Sequence, residues 1–143
     1  MTNTTSNNLD YLAAKHAQTI IQQTQNKKVS DVENTITKAL GVLQEHGVYA
    51  CFLYLLAREK ENGAIVVDEM LNLLSDLPFS WKKPPTSNQS DAAIVLGFIS
   101  EQVTKDLERL LLAREALEQM LIYARYGAKA RDRGESEGPG ASS

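Results

Sequence analysis

The side chains that could take part in catalysis are few, and their spacing fits no catalytic or metal-binding motif. The two histidines, His16 and His46, are far apart, and neither has a second ligand at metal-site spacing. The single cysteine, Cys51, lies in the most apolar stretch, where a reactive thiolate is disfavoured. The chain has no glycine-rich phosphate loop and no Gly-x-Ser-x-Gly motif. We therefore predict a protein that is not an enzyme and has no catalytic residues, metal site, cofactor or small-molecule substrate.

Basic side chains of the last helical segment form the clearest candidate binding feature. At about 100° per helical residue, Arg114, Arg125 and Lys129 fall within about 60° of one another. We call these three residues the basic stripe. Cations spaced along a rod can contact successive phosphates of a nucleic acid. The alternative is a solvated basic face, whose charge Glu118, in the same sector, partly offsets.

The bulk composition limits both the partners and the compartment of the protein. The chain has 143 residues and a formal net charge of −3, so it favours one domain and is a poor candidate to bind nucleic acid unaided. One cysteine excludes an intrachain disulfide and favours a reducing compartment. The first residues lack the pattern of a signal peptide, and no apolar run reaches the length of a membrane span. We expect a cytoplasmic protein with no membrane contact.

Apolar residues recur at three- and four-residue steps along most of the chain, which predicts helices. Because no segment reads convincingly as a strand, we predict an all-α fold, a single helical bundle of five to six helices at residues 8–133. Residues 1–7 are expected to be a flexible N-terminus. Residues 134–143, rich in Gly, Ser, Pro and Glu, are expected to be a disordered tail.

Several local signals predict where the helices begin, end and pack. The segment Val48–Ala57 carries no charged or amide side chain, which predicts a central helix buried on all sides, with Gly47 as the turn before it. The segment Ser30–Glu33 reads as a capping box that starts a helix. The dipeptide Asn62-Gly63 predicts a turn. Asn8 and the pair Ser90-Asp91 are candidate N-caps.

One long loop, residues 78–89, contains the only tryptophan, Trp81, beside Lys82 and Lys83. Tryptophan is enriched among the residues that dominate binding energies, so Trp81 is the candidate protein-interface residue. The alternative is that its ring packs over the edge of the core.

Three segments resemble the small, all-helical subunit of the Cmr-type (type III-B) CRISPR RNA-guided effector complex. They are LDYLAAKHA at 9–17, LGVLQEHGVYACFL at 40–53, and REAL at 114–117 running on to YARYGAKA at 123–130. The small subunit of Csm-type (type III-A) complexes is similar in kind and remains an alternative.

The resemblance implies a non-catalytic scaffold of antiviral defence. Such subunits stack as a filament within the complex, beside other effector subunits, and line the groove where target RNA pairs with crRNA. Lys15 and Arg114 match basic positions of the family pattern, and Arg125 and Lys129 share the stripe with Arg114. These four are the expected contacts to the RNA backbone. The alternative is a free-standing helical adaptor or regulator that acts through protein–protein contacts of the Trp81 loop.

Overall fold

The computed structural model describes residues 8–79 and 91–136, and these ranges contain α-helices, one π-helical segment and no strand. The all-α prediction is confirmed. The helices are α1 (Leu9–Gln23), α2 (Val29–His46), α3 (Val48–Arg58), α4 (Glu61–Asp76), α5 (Ala92–Phe98) and α6 (Leu107–Ser136), with the π-helical segment at Ile99–Thr104. Trp81, residues 1–7 and residues 137–143 lie outside the described ranges.

The long helix α6 makes the most extensive contacts with other helices. It lies against both α1 and α2. Its contacts with Asp10 near the start of α1, and with the carbonyl of Thr24 just after α1, show that α1 and α6 are parallel. Four alanines on its buried face let neighbouring helices approach closely. The buried residues of α6 are Ala113, Ala116, Leu117, Met120, Leu121, Ala124 and Ala128.

Helix α3 packs against α2, α4, α5, α6 and the π-helical segment, but the prediction that it is buried on all sides is wrong. Val48, Cys51, Phe52 and Leu55 are buried on one face, whereas Leu53 on the other face is 45% exposed. The apolar composition therefore predicted burial on all sides, but the structure buries one face and leaves an apolar surface of α3 exposed.

The helix boundaries confirm some of the predicted signals and correct others. The Asn8 and Asp91 side chains accept the backbone N–H groups of Tyr11 and Ala93, at 3.1 and 2.9 Å, so both N-caps are confirmed. Gly47 separates α2 from α3 with a φ of 98°, as predicted for a glycine turn. The capping box is wrong, because α2 already begins at Val29 and has no side-chain cap.

The predicted turn at Asn62-Gly63 is also wrong, because these residues form the first turn of α4. Glycine is needed there for a different reason. A Cβ atom on Gly63 would lie 2.5 Å from the Cβ of Glu59 and 2.9 Å from the carbonyl oxygen of Leu55. The start of α4 therefore passes too close to the end of α3 for any larger residue.

The last helix continues to Ser136, past the predicted domain boundary at residue 133. The rest of the predicted tail falls outside the described residues. Among the described helices, none combines the length and apolarity needed to cross a membrane.

Candidate nucleic-acid interface

The basic stripe lies along the seam between α2 and α6. The Lys129 Nζ is 2.6 Å from Glu33 Oε2, near the start of α2. At the other end, the Gln44 side chain donates to Glu118 at 2.9 Å. These two contacts show that α2 and α6 are antiparallel and fix their register. The structure therefore places Arg114, Arg125 and Lys129 on one edge of α6, as the helical spacing predicts.

Arg114 marks the end of the stripe near the C-terminus of α2. Its Nη2 donates to the carbonyl oxygen of Gln44 at 2.9 Å, and the residue is exposed. A cation near the last carbonyls of a helix is favourable because it faces the negative end of the helix dipole. This contact orients the guanidinium, which has no carboxylate partner among the described residues.

Arg125 lies on the same seam and has no acidic partner in the part of the chain that the structure describes. The register set by Glu33–Lys129 and Gln44–Glu118 places Arg125 opposite Thr37, which carries no charge. Its Nε atom is buried and has no hydrogen-bond partner among the described residues. A guanidinium presents five N–H donors, and leaving a buried donor unpaired costs free energy. Because that Nε is buried, an external anion could contact Arg125 only through its terminal Nη groups.

Lys15 does not join the stripe. It is an exposed residue of α1, and its Nζ lies 3.8 Å from Asp76 Oδ2 at the end of α4. Its ion-pair partner is therefore on α4, whereas Arg114 and Lys129 contact α2. The structure brings together three of the four predicted RNA-contacting residues.

A polar cluster between α1 and α4 is a site that the sequence pattern does not predict. His16 Nδ1 lies 2.5 Å from Glu69 Oε2, and His16 Nε2 lies 2.7 Å from Asp76 Oδ2. The other oxygen of Glu69 accepts from Asn72 Nδ2 at 3.1 Å. We call His16, Glu69 and Asp76 the histidine clamp.

The clamp favours the charged form of His16. Burial opposes the charge, but the hydrogen bonds and charges of Glu69 and Asp76 outweigh it and raise the pKa of His16 above its usual value. An imidazolium donates from both nitrogens and has no free lone pair. With both ring nitrogens facing carboxylates, the clamp ties α1 to α4.

The signal for the clamp was present in the sequence but was ambiguous. Glu69 is a single carboxylate among the buried apolar residues of α4, and His16 is a single polar residue on the apolar face of α1. Each suggests a buried polar contact. Only the tertiary structure shows that they meet.

The described residues 8–79 and 91–136 contain no group of three or more His, Cys, Asp or Glu side chains placed to hold a metal ion. Comparisons with protein-family models, with curated proteins and with solved structures found no match to this chain.

Proposed function

We propose that the chain is a non-catalytic scaffold subunit of a type III CRISPR RNA-guided ribonucleoprotein, of Cmr type, and that it contacts the RNA backbone through the basic stripe. The proposal combines the sequence resemblance with one structural observation. That observation is the alignment of Arg114, Arg125 and Lys129 on one seam, where neither arginine has a carboxylate partner within the described ranges.

The dimensions of the stripe suit a nucleic-acid strand. At about 1.5 Å per residue, Arg114 and Lys129 are about 22 Å apart along α6. A strand with one phosphate per about 3.4 Å places about six phosphates over that distance. Contacts from arginine and lysine to phosphates carry no sequence information, which is what a scaffold along a crRNA–target RNA duplex requires.

The overall acidity of the chain predicts that it binds RNA weakly when alone. The net charge of −3 repels RNA at long range, and Glu33 and Glu118 lie within the seam. Other effector subunits would supply additional positive potential around the RNA. In this proposal the stripe positions the strand, and cleavage of the target belongs to the partner subunits.

The exposed apolar face of α3 supports protein contacts by the same chain. Tyr49 and Leu53 lie one helical turn apart and are 40% and 45% exposed. Neighbouring copies in a filament, or other effector subunits, would cover such a surface. This face also favours the second candidate function, a free-standing helical adaptor acting through protein–protein contacts. Trp81 stays a predicted interface residue in either case.

Salt-dependent RNA binding separates the two functions. We would measure the fluorescence anisotropy of a labelled single-stranded RNA titrated with the full chain at low salt. Three phosphate contacts predict a slope of log affinity against log salt of about −2. Combined Arg114→Gln, Arg125→Gln and Lys129→Gln substitutions should abolish most of that slope.

Two further variants test whether the effect belongs to the stripe. Lys105→Gln removes an exposed cation outside the stripe and should leave both affinity and slope unchanged. Arg125→Gln removes a cation that has no acidic partner among the described residues, and should reduce the slope by about 0.7. Equal losses in Lys105→Gln and Arg125→Gln would contradict the stripe. No RNA binding at low salt, together with a stable complex with one protein, would favour the adaptor.

A further inference from the structure

A shallow groove between α1 and α6 lies on the edge of α6 opposite the stripe, which faces α2. Its volume is about 540 Å³, within the range of about 300–1,000 Å³ that small-ligand sites occupy. Small residues line it, namely Ala14 and Ala17 of α1 and Gly127 of α6. A Cβ atom on Gly127 would lie 3.0 Å from Ile21 Cγ1, so the two helices are close at this point.

Tyrosine rings form the α6 wall of the groove. Tyr126 is 63% exposed, although its ring is apolar. Tyr123 is held in place because its hydroxyl donates to Asp10 Oδ1 and accepts from Gln119 Nε2, the latter at 2.9 Å. The groove therefore combines one fixed ring with one ring that is open to solvent.

Two glutamines supply the polar groups of the groove. Gln18 and Gln22 of α1 are exposed, and they line the groove together with the tyrosines. A carboxamide both donates and accepts hydrogen bonds, so it can pair with the edge of any flat ring that carries amide-like groups. None of the residues that line the groove is charged. Its chemistry thus suits an uncharged, planar, polar ring.

Tyr126 lies between the groove and the stripe. At about 100° per residue, it follows Arg125 by one step around α6, on the exposed side, and Tyr123 and Gly127 lie further round. A ligand spanning both surfaces would place negative charge on Arg125 and Lys129 and a planar ring against Tyr126. A nucleotide has this distribution of charge, with an anionic backbone and a neutral base.

We propose that the groove between α1 and α6 receives an unpaired base of a single-stranded RNA whose phosphates lie on the basic stripe, with the base stacked on Tyr126. This proposal rests on the RNA-binding function proposed above and adds a second contact surface to it. Stacking on an aromatic ring tolerates any base, because every base has a π-face. The groove would therefore hold the strand without reading its sequence.

The test uses the full chain and a single-stranded RNA of about twelve nucleotides that carries 2-aminopurine at its centre. Stacking should quench the fluorescence of 2-aminopurine when the chain binds. Tyr126→Leu should abolish the quenching and weaken binding at least about fivefold. The stacking of one base on an aromatic ring contributes at least about that factor to the affinity. Tyr126→Phe keeps the ring and should bind as the unmodified chain does.

Tyr11→Leu is the matched control, because Tyr11 is a 53% exposed tyrosine of α1 that does not line the groove. It should change neither the quenching nor the affinity. Thermal unfolding of each variant checks that the fold is intact. Because both tyrosines are exposed, we expect no change in melting temperature.

The salt dependence distinguishes failure of this proposal from failure of the proposed function. Tyr126→Leu should lower affinity without changing the salt slope, since the phosphate contacts remain. Unchanged affinity and unchanged quenching in Tyr126→Leu, with the salt slope intact, would overturn the groove alone. A Tyr126→Leu chain that differs in its own oligomeric state but not in RNA affinity would assign the groove to protein contacts and overturn the proposal. Absence of any RNA binding would overturn both.

Discussion

Replacing His16 by leucine removes the central member of the histidine clamp while keeping an apolar side chain at a buried position. The residue is 5% exposed, and its partner Glu69 is 7% exposed. The substitution leaves Glu69 as a buried carboxylate that still accepts a hydrogen bond from Asn72. We expect a large loss of stability, because an unpaired buried charge is costly.

The expected loss is about 3–5 kcal/mol, the typical cost of removing one partner of a buried ion pair. This is a substantial part of a total stability of about 5–15 kcal/mol for a domain. The melting temperature should fall by about 10 °C. The contact with Asp76 adds less, since that side chain is 38% exposed and solvent screens it.

The double variant His16→Leu/Glu69→Met isolates the cause of this loss. Methionine removes the stranded charge, and apolar replacement of both partners of a buried pair is often close to neutral. The double variant should therefore recover most of the stability that the single variant loses. Both would be measured by urea unfolding followed by circular dichroism.

The pH dependence of the same measurement gives an independent check. The pKa of His16 is raised in the folded protein, so the folded state binds this proton more tightly than the unfolded chain does. The stabilisation is fully present below the ordinary value of 6.5 and is lost as the pH rises through the raised pKa. The stability difference between the unmodified chain and His16→Leu should shrink over that range. A loss below about 1 kcal/mol for His16→Leu, or a difference that does not change with pH, would refute this reasoning.

Two further predictions concern the packing of small and buried residues. Gly63→Ala should destabilise the protein by about 1–3 kcal/mol because its Cβ would clash with the carbonyl oxygen of Leu55 in α3 and with the Cβ of Glu59 just after it. Its control, Gly41→Ala inside α2, meets nothing within 4 Å and should stabilise by about 0.5–1 kcal/mol. Equal effects in thermal unfolding would contradict the packing argument. Burial raises the pKa of Cys51 to about 12, so its thiol should resist alkylation at pH 8 until the chain unfolds. Rapid labelling of the native protein would show that α3 is not packed as described.

The features that depend on neighbouring residues were predictable from the sequence. The recurrence of apolar residues at helical spacing determines which face of a helix is buried, and it predicted the all-α fold. N-capping by Asn8 and Asp91 involves only the next two or three residues. The alignment of the basic stripe follows from helix geometry alone.

The features that depend on distant residues were not. The apolar composition of α3 suggested burial on all sides, but the structure buries one face only, and the most extensive contacts belong to α6, whose alanines allow close packing on α1 and α2. Gly63 is required by the approach of α3, which no local pattern shows. The clamp joins His16 to Glu69 across two intervening helices. The π-helical segment Ile99–Thr104 also had no signal that distinguished it from an α-helix.

The most direct test of the proposed function is to purify the tagged chain from its native cells and sequence any RNA that copurifies. The proposal predicts a complex that contains several copies of this chain, other effector subunits, and short guide RNAs of uniform length. The same purification with Arg125→Glu should retain the protein subunits but bind target RNA less tightly. Recovery of the chain alone, or with one protein and no RNA, would contradict the proposal and leave the adaptor function in its place.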